Sequence, residues 1–272
     1  MAIPAYAGSL HQTNQRDTAL ITGASAGIGL DLARLAARDF DLIITARDKV
    51  RLEQVAAQLE EQHGNRVHVL PGDLAQPGAP AKLFAEIGSR GLRVDALVNN
   101  AGFGNYGLFA EMKLETDLEM IQLNIAAVTH LTKLALPGML QRRHGRIMNV
   151  ASTAGFQPGP LMAVYYATKA YVISFSEAIA NELHGSGVTV TCLCPGATET
   201  EFAKRADMGT SLLFKLGAMQ SADVARVGYE AMLQGKTMVI PGLKNRMLAQ
   251  SVRFTPRKVV TAITRSLQER AK

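Results

Sequence analysis

Short apolar segments alternate with amphipathic segments of helical length along most of this chain. Seven short segments have the length of a strand and are apolar on both faces: residues 18–22, 42–46, 66–70, 96–99, 146–151, 188–193 and 237–240. The longer segments carry apolar residues at helical spacing: 28–40, 48–62, 80–89, 116–140, 165–184 and 222–234. Strands that are apolar on both faces are typical of parallel sheets covered by helices. The alternation predicts an α/β fold with a doubly wound, seven-stranded parallel sheet.

The domain organisation follows from what separates these segments. No linker rich in Pro, Gly or Ser divides the chain, and no internal repeat is visible, which predicts one domain. We expect an N-terminal extension (residues 1–16), a domain over residues 17–243 and a C-terminal tail (residues 244–272). With 272 residues, 47% of them hydrophobic, the chain is able to bury a substantial core.

Several functional classes are disfavoured by composition. No apolar stretch approaches the length of a membrane span, and residues 1–16 lack a basic-then-apolar signal pattern, so we expect a cytoplasmic protein. The six histidines show no metal-ligand spacing. Cys192 and Cys194 alternate in a predicted strand and are interpreted as buried thiols, with a redox or metal pair as the alternative. The sequence therefore predicts no metal site.

The positive charge is concentrated in the tail. The whole chain has a net charge of +6, but residues 244–272 hold eight basic side chains and one acidic one, so the remainder is close to neutral. Apolar residues recur in this tail at helical spacing, in two segments separated by Pro256: Leu243, Met247, Leu248 and Val252, then Val259, Val260, Ile263 and Leu267. We favour packing of these faces on the protein or its oligomer partner. Peripheral contact with an anionic membrane is the alternative, and no nucleic-acid partner is predicted.

A glycine-rich loop follows the first predicted strand and opens the first predicted helix. It reads Thr22-Gly23-Ala24-Ser25-Ala26-Gly27-Ile28-Gly29. Glycines let the backbone turn tightly and approach a pyrophosphate, which the helix N-terminus attracts. The position of the loop predicts a dinucleotide site formed by Gly23, Ser25, Gly27, Ile28 and Gly29.

Three polar residues downstream suggest proton transfer. Tyr165 lies four residues before Lys169, on the same helix face, and 13 residues after Ser152. A nearby ammonium stabilises a phenolate and lowers its pKa, which suits general acid–base catalysis. The serine hydroxyl can polarise the same substrate oxygen. Tyr166 points about 100° around the helix and is interpreted as a packing residue.

Together these motifs resemble the short-chain dehydrogenase/reductase family over roughly residues 17–240. The loop spacing Thr-Gly-x-x-x-Gly-x-Gly and the element Asn99-Asn100-Ala101-Gly102 are similar to that family's motifs. The resemblance implies a single-domain Rossmann fold and a catalytic tetrad of Asn124, Ser152, Tyr165 and Lys169. Lys169 would also bind the nicotinamide ribose, and Asn124 would hold a water that relays protons to it. Further cofactor contacts implied by the resemblance are Asp73, Leu74, Asn100, Ala101, Gly102, Pro195, Gly196, Thr198 and Thr200.

The choice between NADP and NAD depends on the end of the second strand. An acid here usually binds the ribose 2′-hydroxyl of NAD. In this chain Ala46-Arg47-Asp48 occupies the place, and an Arg after a neutral residue resembles the family's NADP pattern. Asp48 is the competing NAD determinant, but we expect it to cap the next helix. The sequence predicts NADP as the preferred cofactor and NAD as the alternative.

The substrate-facing segments are unusually apolar. In the family the stretch after Pro195-Gly196 covers the substrate, and here the corresponding lid (about residues 198–220) contains Phe202, Phe214 and several Leu and Met residues. We expect a lipid-, steroid- or aromatic-like ketone, aldehyde or alcohol, with core or oligomer packing as the alternative explanation. By the resemblance, helices 116–140 and 165–184 suggest a homodimer or homotetramer. A non-catalytic dinucleotide sensor or scaffold is the rival function.

Overall fold

Seven parallel strands form the central sheet in the computed structural model, which describes residues 16–201 and 217–269. In chain order they are β1 (Thr18–Thr22), β2 (Asp41–Thr45), β3 (Val67–Val69), β4 (Ala96–Asn99), β5 (Gly145–Val150), β6 (Val188–Leu193) and β9 (Met238–Val239). Their order across the sheet is β3-β2-β1-β4-β5-β6-β9. The predicted sheet is confirmed. The sequence did not predict the short parallel pair β7 (Thr198–Glu199) and β8 (Met219–Gln220).

Helices cover both faces of this sheet. They are α1 (Gly27–Ala36), α2 (Lys49–His63), α3 (Ala79–Ser89), α4 (Leu114–Ile121), α5 (Val128–Arg142), α6 (Ala163–Glu182), α7 (Ser221–Leu233), α8 (Leu243–Ser251) and α9 (Arg257–Gln268). Helices α1, α2 and α7 pack on one face, and α3, α5 and α6 pack on the other. Short 3₁₀ turns lie at Phe109–Glu111, Thr153–Phe156 and Val252–Phe254. The arrangement is a doubly wound Rossmann fold.

Successive side chains of the inner strands contribute alternately to the apolar cores on the two faces of the sheet. In β1, Ile21 packs with the α1 and α2 side, whereas its neighbour Leu20 packs with the α3 and α5 side. Both side chains are completely buried. Successive side chains of a strand point to opposite faces, so a strand covered on both sides is mainly apolar along its length.

The segment predicted as one helix over residues 116–140 contains a change of winding. Between α4 and α5 the chain forms a π-helical turn, Gln122–Ala127, in which hydrogen bonds skip one residue further than in an α-helix. Such turns widen a helix locally and re-aim a side chain. Asn124 lies in the middle of this turn.

The chain order creates a crevice at the carboxyl ends of the strands. Strand β1 lies between β2 and β4, so the connections leaving β1 and β4 run to opposite faces of the sheet. Ligands of open α/β sheets bind at such a switch point. The glycine-rich loop follows β1 and the Asn99–Gly102 element follows β4, which places both at this edge.

The tail is helical in the part that the structure describes. Helices α8 and α9 are separated by a turn containing Pro256, as the sequence predicted. Val260, Thr264 and Gln268 form the buried face of α9, while Val259 and Ile263 are about half exposed. The tail therefore packs on the domain through only part of the predicted apolar stripe. None of the helices within residues 16–201 and 217–269 is long and apolar enough to cross a bilayer.

Two predicted regions lie wholly or mainly outside the described residues. They are the N-terminal extension, of which only residue 16 is described, and residues 202–216 of the lid. The three-part division of the chain therefore stays a prediction.

Candidate active site

A cleft of about 340 Å³ runs along the carboxyl ends of β1, β2, β4, β5 and β6. Every cofactor residue predicted from the sequence lines it: Gly23, Ser25, Gly27, Ile28, Gly29, Arg47, Asp73, Leu74, Asn100, Ala101, Gly102, Pro195, Gly196, Thr198 and Thr200. Ser152, Tyr165 and Lys169 line the same cleft. Asn124 is the one predicted residue that does not.

The glycine-rich loop has the geometry that its sequence requires. Gly23 and Gly27 have φ values of 67° and 57°, in the left-handed region that favours glycine. Gly29 is needed for a different reason, because a Cβ atom there would lie 2.2 Å from the Gly23 carbonyl oxygen. The loop therefore keeps α1 close to β1 and presents bare backbone at the start of a helix, a cradle suited to a pyrophosphate.

Thr22 and Asn100 hold this loop against the β4 end. The Asn100 side-chain amide donates to the carbonyl oxygens of Thr22 (2.9 Å) and Gly23 (3.2 Å). In return, Thr22 Oγ1 accepts hydrogen bonds from the backbone amides of Asn100 and Ala101. Asn100 thus fixes the floor of the cleft by supporting the loop. The sequence motif includes Thr22, but its contact with the β4 end is not visible in the sequence, because the two segments are about 80 residues apart.

At the end of β2, Arg47 and Asp48, the two residues considered as determinants of cofactor choice, have different surroundings. Asp48 caps α2, accepting a hydrogen bond of 3.0 Å from the Arg51 backbone amide, as expected. The Arg47 side chain lines the cleft and is 62% exposed, with Glu119 3.8 Å away. The guanidinium is therefore accessible to an anionic group, whereas the Asp48 carboxylate is partly engaged.

Asp73 follows β3 and organises the turn after it. One carboxylate oxygen accepts from the Ala75 backbone amide (3.1 Å), and the other lies 3.4 Å from the Gln76 side-chain nitrogen. Helix α3 begins later, at Ala79, so Asp73 caps this turn rather than the helix. Asp73 and Leu74 still line the cleft, on the side of the adenine pocket implied by the family resemblance.

Ser152 lies at the end of β5, between helix α6 and the loop after β6. Its hydroxyl accepts from the Ala154 amide (3.1 Å) and lies 3.3 Å from the Pro195 carbonyl oxygen. It also shares a hydrogen bond with Tyr165, which opposes the rise in the pKa of that phenol. The serine hydroxyl and the tyrosine hydroxyl are therefore directed at the same small volume.

Burial controls the protonation of the tyrosine–lysine pair. The Lys169 ammonium donates 2.8 Å to the Val150 carbonyl oxygen and lies 5.8 Å from the centre of the Tyr165 ring. Burial lowers the pKa of Lys169 to about 8, with Cys192 and Cys194 opposing the shift. Burial also raises the pKa of Tyr165 above its ordinary value. The expected lowering of the Tyr165 pKa is not found, because desolvation of the phenolate dominates in this structure.

Asn124 stands behind the cleft and supports it. Its side chain, 1% exposed, donates to the Phe103 carbonyl oxygen (3.0 Å) and to Thr168 Oγ1 (3.1 Å), and accepts from the Phe103 amide (3.2 Å). A Cβ atom on Gly102 would lie 2.9 Å from Asn124 Oδ1 and 3.7 Å from Lys169 Nζ. Asn124 and Lys169 therefore border the same glycine. The water relay implied for Asn124 stays a prediction.

The two adjacent tyrosines have different surroundings. Their rings meet edge to face, with centroids 6.1 Å apart. Tyr165 faces Ser152, whereas the Tyr166 hydroxyl accepts a hydrogen bond from the Gln268 side chain. Burial raises the pKa of Tyr166 to about 12. Tyr165 as the proton-transferring residue stays a prediction, whereas Tyr166 is in polar contact with the tail.

The loop after β6 closes one end of the cleft. Thr198 Oγ1 donates to the Gly196 carbonyl oxygen (3.0 Å), and Thr200 packs against Gly27 of the glycine-rich loop. A Cβ atom on Gly196 would lie 2.5 Å from the Asn245 side chain. Helix α8 thus supports this loop, a contact across about 50 residues that periodicity cannot reveal.

Comparison with known proteins gives the family. The family model for short chain dehydrogenases matches residues 17–210. A protein of Streptomyces violaceoruber, assigned as ketoacyl reductase 1 of the granaticin polyketide synthase, is 41% identical over 197 residues, which are 71% of this chain and 72% of that protein. The very-long-chain 3-oxoacyl-CoA reductase of Anas platyrhynchos is 36% identical over 193 residues, or 68% of this chain. That match spans 61% of the duck enzyme, less than two thirds of its length.

A solved structure agrees with the fold. The short-chain dehydrogenase from Sphingobium yanoikuyae in complex with NADPH superposes with a TM-score of 0.78 at 33% sequence identity, covering 88% of this chain and 93% of that one. The chain described here belongs to the short-chain dehydrogenase/reductase family and is an oxidoreductase with a Rossmann fold.

Proposed function

We propose that this protein is an NADP(H)-dependent oxidoreductase that interconverts a ketone or aldehyde and the corresponding alcohol on an apolar substrate. The observation that carries the proposal is that Ser152, Tyr165 and Lys169 line one end of the same cleft as the glycine-rich loop, with Lys169 buried 5.8 Å from the centre of the Tyr165 ring. A proton donor and a carbonyl-orienting hydroxyl thus converge where the nicotinamide would lie.

Each residue of this group has a defined part in the chemistry. When bound, the cofactor donates or accepts the hydride. The Tyr165 hydroxyl transfers the proton to or from the substrate oxygen, and Ser152 orients that oxygen by a hydrogen bond. Lys169 stabilises negative charge on the tyrosine and binds the nicotinamide ribose. Asn124 holds the Phe103 backbone and supports proton supply to Lys169.

The preference for NADP rests on Arg47. Its exposed guanidinium lines the cleft, while Asp48 is occupied in capping α2. A planar guanidinium matches a phosphate by paired charge-assisted hydrogen bonds. The NADPH complex of the Sphingobium enzyme supports the same cofactor. NAD remains the alternative.

Apolar side chains surround the substrate end of the cleft. Phe103, Leu123 and Met162 line it beside Tyr165. The names of the relatives, a ketoacyl reductase and a very-long-chain 3-oxoacyl-CoA reductase, support an acyl or otherwise lipid-like substrate. Steroid-like and aromatic ketones fit the same lining.

The experiment that tests the function is a screen of NADPH oxidation with ketones and aldehydes of graded size and polarity. We expect turnover with apolar ketones. The rival, a dinucleotide-sensing protein without turnover, would bind NADPH and oxidise none of it with any carbonyl compound. Binding measured by quenching of NADPH fluorescence, in parallel with turnover, separates the two.

Cofactor choice has its own test. Losing the charge-assisted contact in Arg47→Ala should weaken NADP binding roughly 10- to 150-fold, and NAD binding should change little. Lys49→Ala is the matched control, because Lys49 is an exposed cation that pairs with Glu53 and does not line the cleft. If Arg47→Ala weakened the binding of NADP and of NAD equally, Arg47 would not be the residue that selects NADP.

A homodimer or homotetramer is also proposed. Leu114, Leu118 and Ile121 lie at i, i+4 and i+7 of α4 and are 64%, 53% and 40% exposed. Large apolar side chains exposed as a stripe mark interaction surfaces. Sedimentation of Leu118→Arg should show a smaller species than the wild type. The cytoplasmic location stays a prediction from the sequence.

A further inference from the structure

A second cavity lies on the far side of Tyr166 from the cofactor cleft. It has a volume of about 580 Å³ and is bordered by the loop 155–160, helix α6 and the tail. It opens to solvent along α6, where Ala163, Ala167 and Ala170 are exposed. Along α6 its wall is made by Ala163, Ala167 and Ala170 at i, i+4 and i+7, and small side chains at this spacing leave the space open. The tail contributes Val252, Arg257 and Val260.

Two side chains separate this cavity from the active site. Tyr166 and Gln157 line both spaces, so the division is about one side chain thick. The Tyr166 ring is held from the loop side by Gly159, because a Cβ atom there would lie 2.1 Å from the ring. The ring itself is 6% exposed. Its position therefore decides whether the two spaces are joined.

The last turn of α9 fixes that ring. Gln268 is 1% exposed and its side-chain nitrogen donates to the Tyr166 hydroxyl. Its backbone carbonyl accepts a hydrogen bond of 2.9 Å from the Tyr106 hydroxyl, which comes from the loop after β4. The side-chain oxygen of Gln268 has no partner within the described part of the chain, so the bond to Tyr166 is the one polar contact there that orients this side chain.

We propose that Gln268 is a positioning residue for substrate size: by holding Tyr166 as a partition, it closes the active site to the second cavity and limits the length of the carbonyl substrate. The proposal rests on the proposed reductase function. A substrate with a long apolar chain reaches the alanine-lined space only when the tyrosine ring turns aside. Compact substrates do not need that space. Gln268 touches none of the reacting groups and acts through Tyr166.

The test compares kcat/KM for butanone and methyl nonyl ketone in the full-length protein. Gln268→Met keeps the length of the side chain and removes its hydrogen bond, so the ratio of the long to the short ketone should rise roughly 2- to 10-fold. The rise should come from a lower KM for the long ketone. Tyr166→Phe removes the other partner of the same bond and should shift the ratio in the same direction. The double variant should shift it no further than either single variant, because one bond is lost in all three.

Two further variants complete the experiment. Ala167→Trp fills the second cavity, and combined with Gln268→Met it should return the ratio to the wild-type value. Ser266→Ala, on the exposed face of the same helical turn, is the matched control and should leave the ratio unchanged. If the ratio is unchanged in both Gln268→Met and Tyr166→Phe while butanone is turned over normally, Tyr166 does not act as a partition, and the proposed reductase function still stands. If the wild type oxidises NADPH with no carbonyl compound, the proposed function fails and the partition with it.

Discussion

The buried ammonium of Lys169 should make the stability of the cofactor-free protein depend on pH in a specific way. Burial lowers its pKa to about 8, whereas a lysine in an unfolded chain has the ordinary value of about 10.5. Between these two values the unfolded state binds more protons than the folded state. The free energy of unfolding must therefore rise as the pH increases through this window.

The size of the effect follows from the same two pKa values. Linkage gives an increase in unfolding free energy of about 2.5 kcal/mol between about pH 7 and pH 10 from this one side chain. The direction is opposite to that of a lysine in a salt bridge, which would lose stability as the pH rises. Below about pH 8 the folded protein carries a buried charge, and the hydrogen bond to the Val150 carbonyl offsets only part of its desolvation.

Urea unfolding of the wild type and of Lys169→Met at a series of pH values measures the effect. The difference between the two proteins isolates Lys169, because the other titrating groups are common to both. We expect the advantage of the methionine variant to shrink by about 2.5 kcal/mol over the range. Loss of the bond to Val150 adds an offset that does not vary with pH. The test is therefore the change of the free-energy difference with pH, not its absolute value.

Lys133→Met provides the comparison, since Lys133 is exposed on α5 and its replacement should give a difference that is flat with pH. A flat difference curve for Lys169→Met as well would show that the folded and unfolded states hold this proton equally tightly. The argument from burial would then be refuted, whatever the activity of the variant.

Three further predictions concern the cleft and the tail. Tyr165→Phe should lower kcat by roughly 10²- to 10⁴-fold while NADPH still binds, and Tyr166→Phe should retain far more activity. If an NADPH oxidation assay gave the reverse ranking, the choice of Tyr165 over Tyr166 as the proton-transferring residue would be wrong. Gly29→Ala should abolish NADPH binding in a fluorescence titration, because its Cβ would lie 2.2 Å from the Gly23 carbonyl oxygen; unchanged affinity would show that the loop relaxes. The full-length chain should not sediment with anionic vesicles, and a chain ending at Gly242 should be less soluble or should no longer form the oligomer. If the full-length chain instead bound anionic vesicles in a salt-sensitive way and the truncated chain did not, contact of the tail with a membrane would be favoured.

The sheet could be predicted from the sequence because its signals are local. Each of the seven strands was located to within one residue, since an apolar run that is buried on both faces ends abruptly where the loops begin. The cleft could be predicted for the same reason. Its residues lie directly after β1, β4, β5 and β6, and parallel strands bring their carboxyl ends to one edge.

The tail contacts could not be predicted in this way. Gln268 and Tyr166 are 102 residues apart, and neither residue differs in type from an ordinary helix surface or core residue. The stripe predicted for α9 placed Val259 and Ile263 on the packed face, yet the structure buries Thr264 and Gln268 instead. Hydrophobicity alone therefore gave only part of the buried face of α9. Gln268 is buried with a hydrogen bond to the Tyr166 hydroxyl, and Thr264 is buried with its hydroxyl bonded to the Val260 carbonyl of the same helix.

Energetically unfavourable features of the chain are concentrated at the carboxyl ends of the strands, and they persist for a common reason. Most side chains of the sheet interior are apolar, and the buried amides of Asn99 and Asn149 are hydrogen-bonded to each other. At the carboxyl ends of the strands, the chain instead holds a buried ammonium at Lys169, a π-helical turn at Asn124 and a left-handed backbone at Leu161, whose φ is 69°. Each of these costs free energy in isolation. They persist because the surrounding strands and helices fix the backbone on both sides, so the stability of the sheet supports a site that would not be stable alone.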